Sequence, residues 1–214
     1  MNTQQSTFRP GAIGSDDFKE LIESGDYVDK SLFIKDIIHD KHKVLLITRP
    51  RRWGKSSNMS LLKTFLEIEV DKEGNILPED QKVNPVYFTG GMIGFRKKTI
   101  SHEGLKISKE GEVMEELGQY PVIMMGFKDL GGSSYAELVE DLKIKLIEVF
   151  DNHQYLAVSD KLKPSEKERI NKYLVGEVSV ARIKNAIKFL MECLYKHFNQ
   201  KVWVLIPRLS SLFA

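Results

Sequence analysis

The chain has 214 residues, a formal net charge of +2, 42% hydrophobic residues and 29% charged residues, which is typical of an ordinary globular protein. Its single cysteine, Cys193, excludes an intramolecular disulfide and fits a reducing compartment. The first residues lack a signal-peptide core, and no apolar run approaches the ~18 residues of a membrane span. We therefore expect a cytoplasmic protein with no membrane partner.

The start of the chain is predicted to be a helical lead segment over residues 1–40. Ser15 can cap a short helix that Gly25 would end. The apolar residues of that helix are Phe18, Leu21 and Ile22. A second short helix is indicated by Leu32, Ile34, Ile37 and Ile38.

Strands and helices then alternate, which favours an α/β class with a largely parallel sheet. The predicted strands are 43–48, 120–127 and 202–206. The predicted helices are 56–69, 134–149, 164–175 and 180–198, and Ser134 with Glu137 would form a capping box at the start of the second. Residues 71–119 show no sustained period and are predicted to be an irregular insertion with short strands such as 86–88.

The most informative stretch is VLLITRPRRWGKSSN (44–58), a predicted buried strand and a basic turn that leads into a helix. A strand, a turn ending in Gly54-Lys55-Ser56 and a helix are the parts of a P-loop. Gly54 would let the backbone approach phosphates, Lys55 would reach the β/γ oxygens, and Ser56 would offer a hydroxyl to Mg²⁺. Because a charge-assisted hydrogen bond contributes roughly 1.5–3 kcal/mol, losing Lys55 should weaken binding about tenfold or more.

The match to the usual P-loop pattern is incomplete, because Arg49 occupies the first glycine position and Pro50 follows. One alternative is a solvated basic loop made of Arg49, Arg51, Arg52 and Lys55. Another is a nucleic-acid patch with Trp53 as a stacking platform. No second basic and aromatic cluster supports that patch, so nucleic acid is not an expected partner.

Several blocks in a fixed order resemble the predicted AAA-ATPase-like family, which carries an RPRRFGKT-type motif. They span about residues 8–206 and include RPRRWGKSSNMSLLKTFLE, FKELIESGDYVDKSLFIKDII, GLKISK, YPVIMMGFKDL, SSYAELVEDLK and LYKHFNQKVWVLI. In this family an arginine stands where the usual first glycine would be.

The resemblance implies a P-loop NTPase-type three-layer domain over residues 41–206, ordinarily followed by a PD-(D/E)XK nuclease-like domain. It implies ATP and Mg²⁺ as cofactors, Lys55 as the catalytic residue on the β/γ-phosphates and Ser56 as the metal ligand. The implied nucleotide-binding residues are Arg49, Pro50, Arg51, Arg52, Trp53, Gly54, Lys55, Ser56 and Ser57.

The chain departs from the family after the strand at 202–206, where the family has Asp-Glu-Tyr-Asp and this chain has Pro207, Arg208, Leu209 and Ser210. Residues 207–214 match nothing in the family, so we interpret the domain as incomplete at its C-terminus. Without acidic residues there, hydrolysis should be very slow. The strands at 44–48 and 202–206 would also lack their shared neighbour, which predicts a domain that is marginally stable or depends on a protein partner or an oligomer.

Other residues leave alternatives open. Asp29 and Lys30 match the family and would lie near the nucleotide, or they are a cap and a surface charge. Cys193 and His197 are spaced i, i+4, which suits two metal ligands, but a core thiol is the simpler interpretation. The alternative function is a non-catalytic interaction module, or a decayed gene product, without a stable nucleotide site.

Overall fold

A computed structural model describes residues 15–48, 53–95, 98–127, 130 and 134–207. The chain divides into two compact units, Met1–Thr64 with Val83–Glu115 and Phe65–Lys82 with Glu116–Ala214. Helices predominate, and the described strands form one antiparallel and one parallel pair. The broad α/β class is therefore confirmed, while the described sheets are small.

Helix α1 (Phe18–Ser24) opens the first unit, and Asp17 rather than Ser15 caps it. The Asp17 carboxylate accepts the Glu20 N–H at 3.1 Å, and Gly25 ends the helix in the left-handed region at φ 80°. Asp17 is the N-terminal cap because its backbone is extended immediately before the first helical turn. Phe18 is completely buried and stacks on Phe88 with ring centroids 5.3 Å apart.

Two further helices follow in this unit, α2 (Phe33–His39) and α3 (Lys55–Leu66), and the last two residues of α3 belong to the second unit. Helix α2 buries Ile34 and Ile37, as the spacing predicted. Helix α3 is fastened to α1 because the buried Ser60 hydroxyl accepts the Phe18 N–H at 3.0 Å. This bond holds the lead segment against the helix that begins at the basic turn.

The predicted buried strand at 43–48 is wrong. None of these residues is in a strand, and the Val44 and Leu46 side chains are 85% and 78% exposed. An extended segment becomes a strand only when a neighbour takes up its backbone hydrogen bonds, and none of the described strands pairs with this one. The apolar run at 44–47 therefore has no neighbour among the described strands, although its sequence predicted a buried strand.

The region predicted as irregular contains regular elements. They are α4 (Val86–Thr89), β1 (Gly90–Phe95), β2 (Lys98–Glu103) and α5 (Gly111–Met114). Strands β1 and β2 form an antiparallel hairpin with Gly90 opposite Glu103. The predicted short strand at 86–88 is wrong because the Pro85 carbonyl accepts the N–H groups of Phe88 and Thr89 at 3.0 and 2.9 Å, which closes a helical turn.

The second unit contains the parallel pair β3 (Val122–Met124) and β4 (Trp203–Leu205). Val122 pairs with Trp203 and Met124 with Leu205. Both strands fall within the predicted ranges 120–127 and 202–206, but each is shorter. Parallel strands that are distant in sequence need a crossover connection, and helices supply it here.

These helices are α6 (Tyr135–Asp151), α7 (Pro164–Leu174), α8 (Val180–Ile183) and α9 (Ala186–Phe198). The predicted Ser134 cap is confirmed, since its hydroxyl accepts the Glu137 N–H at 3.3 Å. The single helix predicted over 180–198 is broken before α9, where Asn185 has a non-helical φ of −113°. Asparagine favours helix ends because its side chain competes for local backbone hydrogen bonds.

The core of the second unit is built around Phe150, which stacks on Tyr173 with ring centroids 4.1 Å apart. Leu156, Ile170, Leu190 and Leu194 are completely buried in the same cluster. No helix in the described ranges is both long and apolar enough to cross a membrane.

Cys193 lies completely buried in α9, as its position near the apolar stripe predicted. Burial, with a smaller effect of the Glu166 carboxylate, raises the pKa of the Cys193 thiol to about 12. We expect the folded chain to resist iodoacetamide between pH 7 and 9, and the urea-unfolded chain to react readily, because only the thiolate attacks. Mass spectrometry measures the modified fraction, and full modification of the folded chain at pH 8 would contradict the buried position.

Candidate functional site

The basic turn is described in part. Arg49, Pro50, Arg51 and Arg52, four of the predicted nucleotide-binding residues, lie outside the described residues. Trp53 is described and its side chain is 55% exposed. The rest of the predicted set, Gly54, Lys55, Ser56 and Ser57, is half-buried at the beginning of α3.

The turn delivers the chain into a 12-residue helix through Gly54, whose φ is +70°. A side chain disfavours this left-handed conformation, so the backbone at this position favours glycine. The Gly54 carbonyl accepts the Asn58 N–H at 2.9 Å, which closes the first turn of α3. Helix geometry leaves the N–H groups of Lys55, Ser56 and Ser57 without intrahelical acceptors, beside the positive end of the helix dipole.

A second lysine lies at this turn. A Cβ atom placed on Gly54 would be 3.6 Å from the Nζ atom of Lys30. Lys30 and Lys55 therefore belong to the same corner of the first unit, one just before α2 and the other at the start of α3. Of the two interpretations open for Lys30, the structure favours the position near the turn.

Asp29 has a different role from its neighbour, because its carboxylate fixes the backbone. It accepts the Ser31 N–H and the Lys106 N–H, both at 2.8 Å. Partial burial opposes its charged form, but the hydrogen bonds from Ser31 and Lys106 outweigh this and lower the pKa of Asp29 below its usual value. Asp29 is thus a charged residue whose hydrogen bonds hold the segment carrying Lys30.

An open pocket of about 480 Å³ borders the turn through Lys30 and Asn58. Its other lining residues are Leu32, Phe33, Lys35, Asp36 and Glu110. Lys35 forms an ion pair with Glu110 at 2.7 Å, and this pairing, chiefly through its hydrogen bond, raises the pKa of Lys35. The lining combines an apolar part with paired and unpaired charges, as small polar ligands require.

Metal binding has limited support among the described side chains. They contain no group of three or more His, Cys, Asp and Glu residues that could hold a metal ion. The Ser56 hydroxyl lies in the first turn of α3, where the P-loop pattern requires it, and its binding of Mg²⁺ stays a prediction.

The weaker metal hypothesis for Cys193 and His197 finds no support. The His197 ring is buried, its Nδ1 lies 2.7 Å from the Ser159 hydroxyl, and its Nε2 lies 2.8 Å from the Gly74 carbonyl oxygen. Both ring nitrogens are engaged, so neither is available to a metal. His197 instead fastens the turn at Gly74 to α9.

The comparison with protein families matches the part of the chain that contains the basic turn. The model of the family described as Predicted AAA-ATPase matches residues 12–79. The matched segment contains α1, α2, the basic turn and α3, and the match supports the AAA-ATPase-like family for it. No curated protein and no solved structure matches the chain.

Sequence reasoning missed one residue of the corner and left another undecided. Asn58 is only 5% exposed and lines the pocket one turn into α3. The signal was present, since an asparagine on the face that also carries the buried Leu61 and Leu62 is unusual in a helix. Lys30 could not be assigned because its position depends on the distant contact between Asp29 and Lys106.

Gly54→Ala should destabilise the first unit by about 1 kcal/mol, because alanine is disfavoured at a φ of +70°. Chemical denaturation monitored by circular dichroism measures the loss. Gly94→Ala is the control, since nothing lies within 4 Å of an added Cβ there and its φ is not in the left-handed region. Equal stability of Gly54→Ala and the parent would show that the turn adopts another conformation.

Proposed function

We propose that the chain binds ATP through the turn at 53–57 and the N-terminus of α3, within a P-loop NTPase-type three-layer fold. The observation that carries the proposal is the Gly54-Lys55-Ser56 turn at the start of a 12-residue helix, inside the segment matched by the AAA-ATPase family. The parallel pairing of β3 with β4 is consistent with the largely parallel sheet of such a fold.

The residues present fit a polyphosphate. Phosphate oxygens would accept hydrogen bonds from the N–H groups at the start of α3 and face the positive end of its dipole. The Lys55 ammonium would neutralise the β/γ oxygens. With nucleotide bound, the Ser56 hydroxyl would be a ligand of Mg²⁺, which would bridge the phosphates.

We propose binding without rapid turnover. Pro207 and Arg208 stand close after β4, where the family that the chain resembles has acidic residues. Among the nearest described carboxylates, Asp29 is engaged with Ser31 and Lys106, and Glu110 is paired with Lys35. These two carboxylates are therefore not free to activate a water molecule on the γ-phosphate.

Thermal unfolding with and without Mg-ATP tests the proposal. A ligand at ~100 times its dissociation constant stabilises the folded state by about 2.7 kcal/mol, which raises the melting temperature measurably. Mg-GTP and magnesium alone are the controls for base selectivity and for the ion. An unchanged melting temperature at millimolar Mg-ATP would favour the interaction module without a nucleotide site.

A further inference from the structure

We propose that Lys30 is a second phosphate-binding cation of this site, supplied by the segment before α2 rather than by the phosphate-binding turn. The inference deepens the proposed function and rests on it. Its ligand class is the polyphosphate of a nucleotide, and the juxtaposition that carries it is the Lys30 ammonium beside Gly54.

The distance between the Lys30 ammonium and Gly54 indicates how Lys30 could reach a bound phosphate. The Lys30 Nζ lies 3.6 Å from the position of a Cβ on Gly54, and this residue immediately precedes the first N–H groups of α3. A phosphate that accepts hydrogen bonds from those N–H groups would lie within reach of this flexible ammonium. Lys30 would therefore approach the phosphates from the side of the lead segment, and Lys55 from the helix.

The backbone that carries Lys30 is fixed rather than free. The Asp29 carboxylate accepts N–H groups from Ser31 and Lys106, and the Lys30 N–H donates to the Tyr27 hydroxyl at 3.3 Å. The buried Ser31 hydroxyl adds a bond from the Ile107 N–H at 3.1 Å. Because this backbone is held on both sides of Lys30, less conformational freedom is lost when its ammonium meets an anion.

The two lysines of the pocket differ in their partners. Lys35 is neutralised by Glu110 at 2.7 Å. No carboxylate in the described ranges pairs with Lys30, so its positive charge is available to an incoming anion.

A further polar group lines the same pocket. Asn58 is more than nine-tenths buried, and its side-chain amide makes no hydrogen bond to any described residue. A buried amide that meets no described partner gains when a ligand supplies a hydrogen bond. The Lys30 ammonium and the Asn58 amide both line this pocket, and together they suit a polar ligand at the start of α3.

Isothermal titration with three probes tests the role of Lys30. The probes are Mg-ATP, inorganic tripolyphosphate and adenosine. Lys30→Gln should weaken Mg-ATP and tripolyphosphate binding by about tenfold or more, since it removes a charge-assisted contact, and should leave adenosine binding unchanged. Lys30→Arg keeps the charge and should retain most of the parent affinity.

Lys63→Gln is the matched control, because it removes the same charge from the last turn of α3 and Lys63 does not line the pocket. It should change the affinity for Mg-ATP by no more than about threefold. Circular dichroism establishes that each variant is folded before it is titrated.

The outcomes separate this inference from the function on which it rests. If Lys55→Ala loses Mg-ATP binding while Lys30→Gln binds as tightly as Lys63→Gln, the proposed function stands and the role of Lys30 is overturned. An equal loss of adenosine and tripolyphosphate affinity in Lys30→Gln would show a merely structural role and would also overturn the inference. Failure of the parent chain to bind Mg-ATP would overturn both.

Discussion

Lys55→Ala should abolish the thermal stabilisation by Mg-ATP and weaken nucleotide binding about tenfold or more. The Lys55 ammonium stands at the first position of α3, where helix geometry leaves backbone N–H groups free to meet phosphate oxygens. Removing it eliminates the positive charge that, in the proposed function, contacts the β/γ-phosphates. One charge-assisted hydrogen bond contributes roughly 1.5–3 kcal/mol. Calorimetric titration with Mg-ATP gives the change in dissociation constant.

Lys63→Ala is the control for this experiment, because it removes an equal charge from the last turn of the same helix. The control should bind Mg-ATP like the parent chain. If Lys55→Ala is stabilised by Mg-ATP as much as the control, the nucleotide binds elsewhere. The alternative interpretation of the basic turn, a solvated loop, would then be correct.

Phe150→Ala should give the largest loss of stability, about 3–5 kcal/mol of the free energy of unfolding. Phe150 is completely buried and stacks on Tyr173, and its ring centroid lies 6.5 Å from that of Phe189. Alanine would remove most of the side chain from the centre of the cluster and leave a cavity that the surrounding helices fill only partly. Urea denaturation monitored by circular dichroism measures the change.

Tyr195→Ala is the matched control for the core, since Tyr195 is an aromatic residue of α9 that is 54% exposed. Its loss should lower the free energy of unfolding by less than about 1 kcal/mol. A similar loss in both variants would mean that Phe150 is not the centre of the cluster.

The helices were the most predictable part of the fold because their signals are local. Gly25 was expected to end α1, and Ser134 to cap α6, from residues within one turn of each boundary. The cap at Asp17 was misplaced by two residues, because Ser15 and Asp17 both suit that role and only the backbone decides between them.

Strand predictions failed where pairing decides the outcome. The apolar run at 44–47 has the composition of a buried strand, yet Val44 and Leu46 are largely exposed. Sequence shows that a segment suits a sheet, but a strand also needs a neighbour, and neighbours are set by distant parts of the chain. The segments at 122–124 and 203–205 do have such a neighbour, since they pair with each other as parallel strands.

The sequence indicated some residues of the candidate site and not others. The order of Gly54, Lys55 and Ser56 before a helix could be read directly, because these residues are adjacent in the chain. Lys30 lies beside Gly54, and the residue before it, Asp29, is held by a hydrogen bond from Lys106, 77 residues away in sequence. No period or motif in a single sequence encodes that contact.

A crystal structure of the chain grown with Mg-ATP would show where the nucleotide binds. We predict that the terminal phosphates lie within hydrogen-bonding distance of the Lys55 and Ser56 N–H groups and of the Lys55 ammonium. Nucleotide bound at any other place, or the start of α3 filled by side chains in the presence of saturating Mg-ATP, would contradict the account.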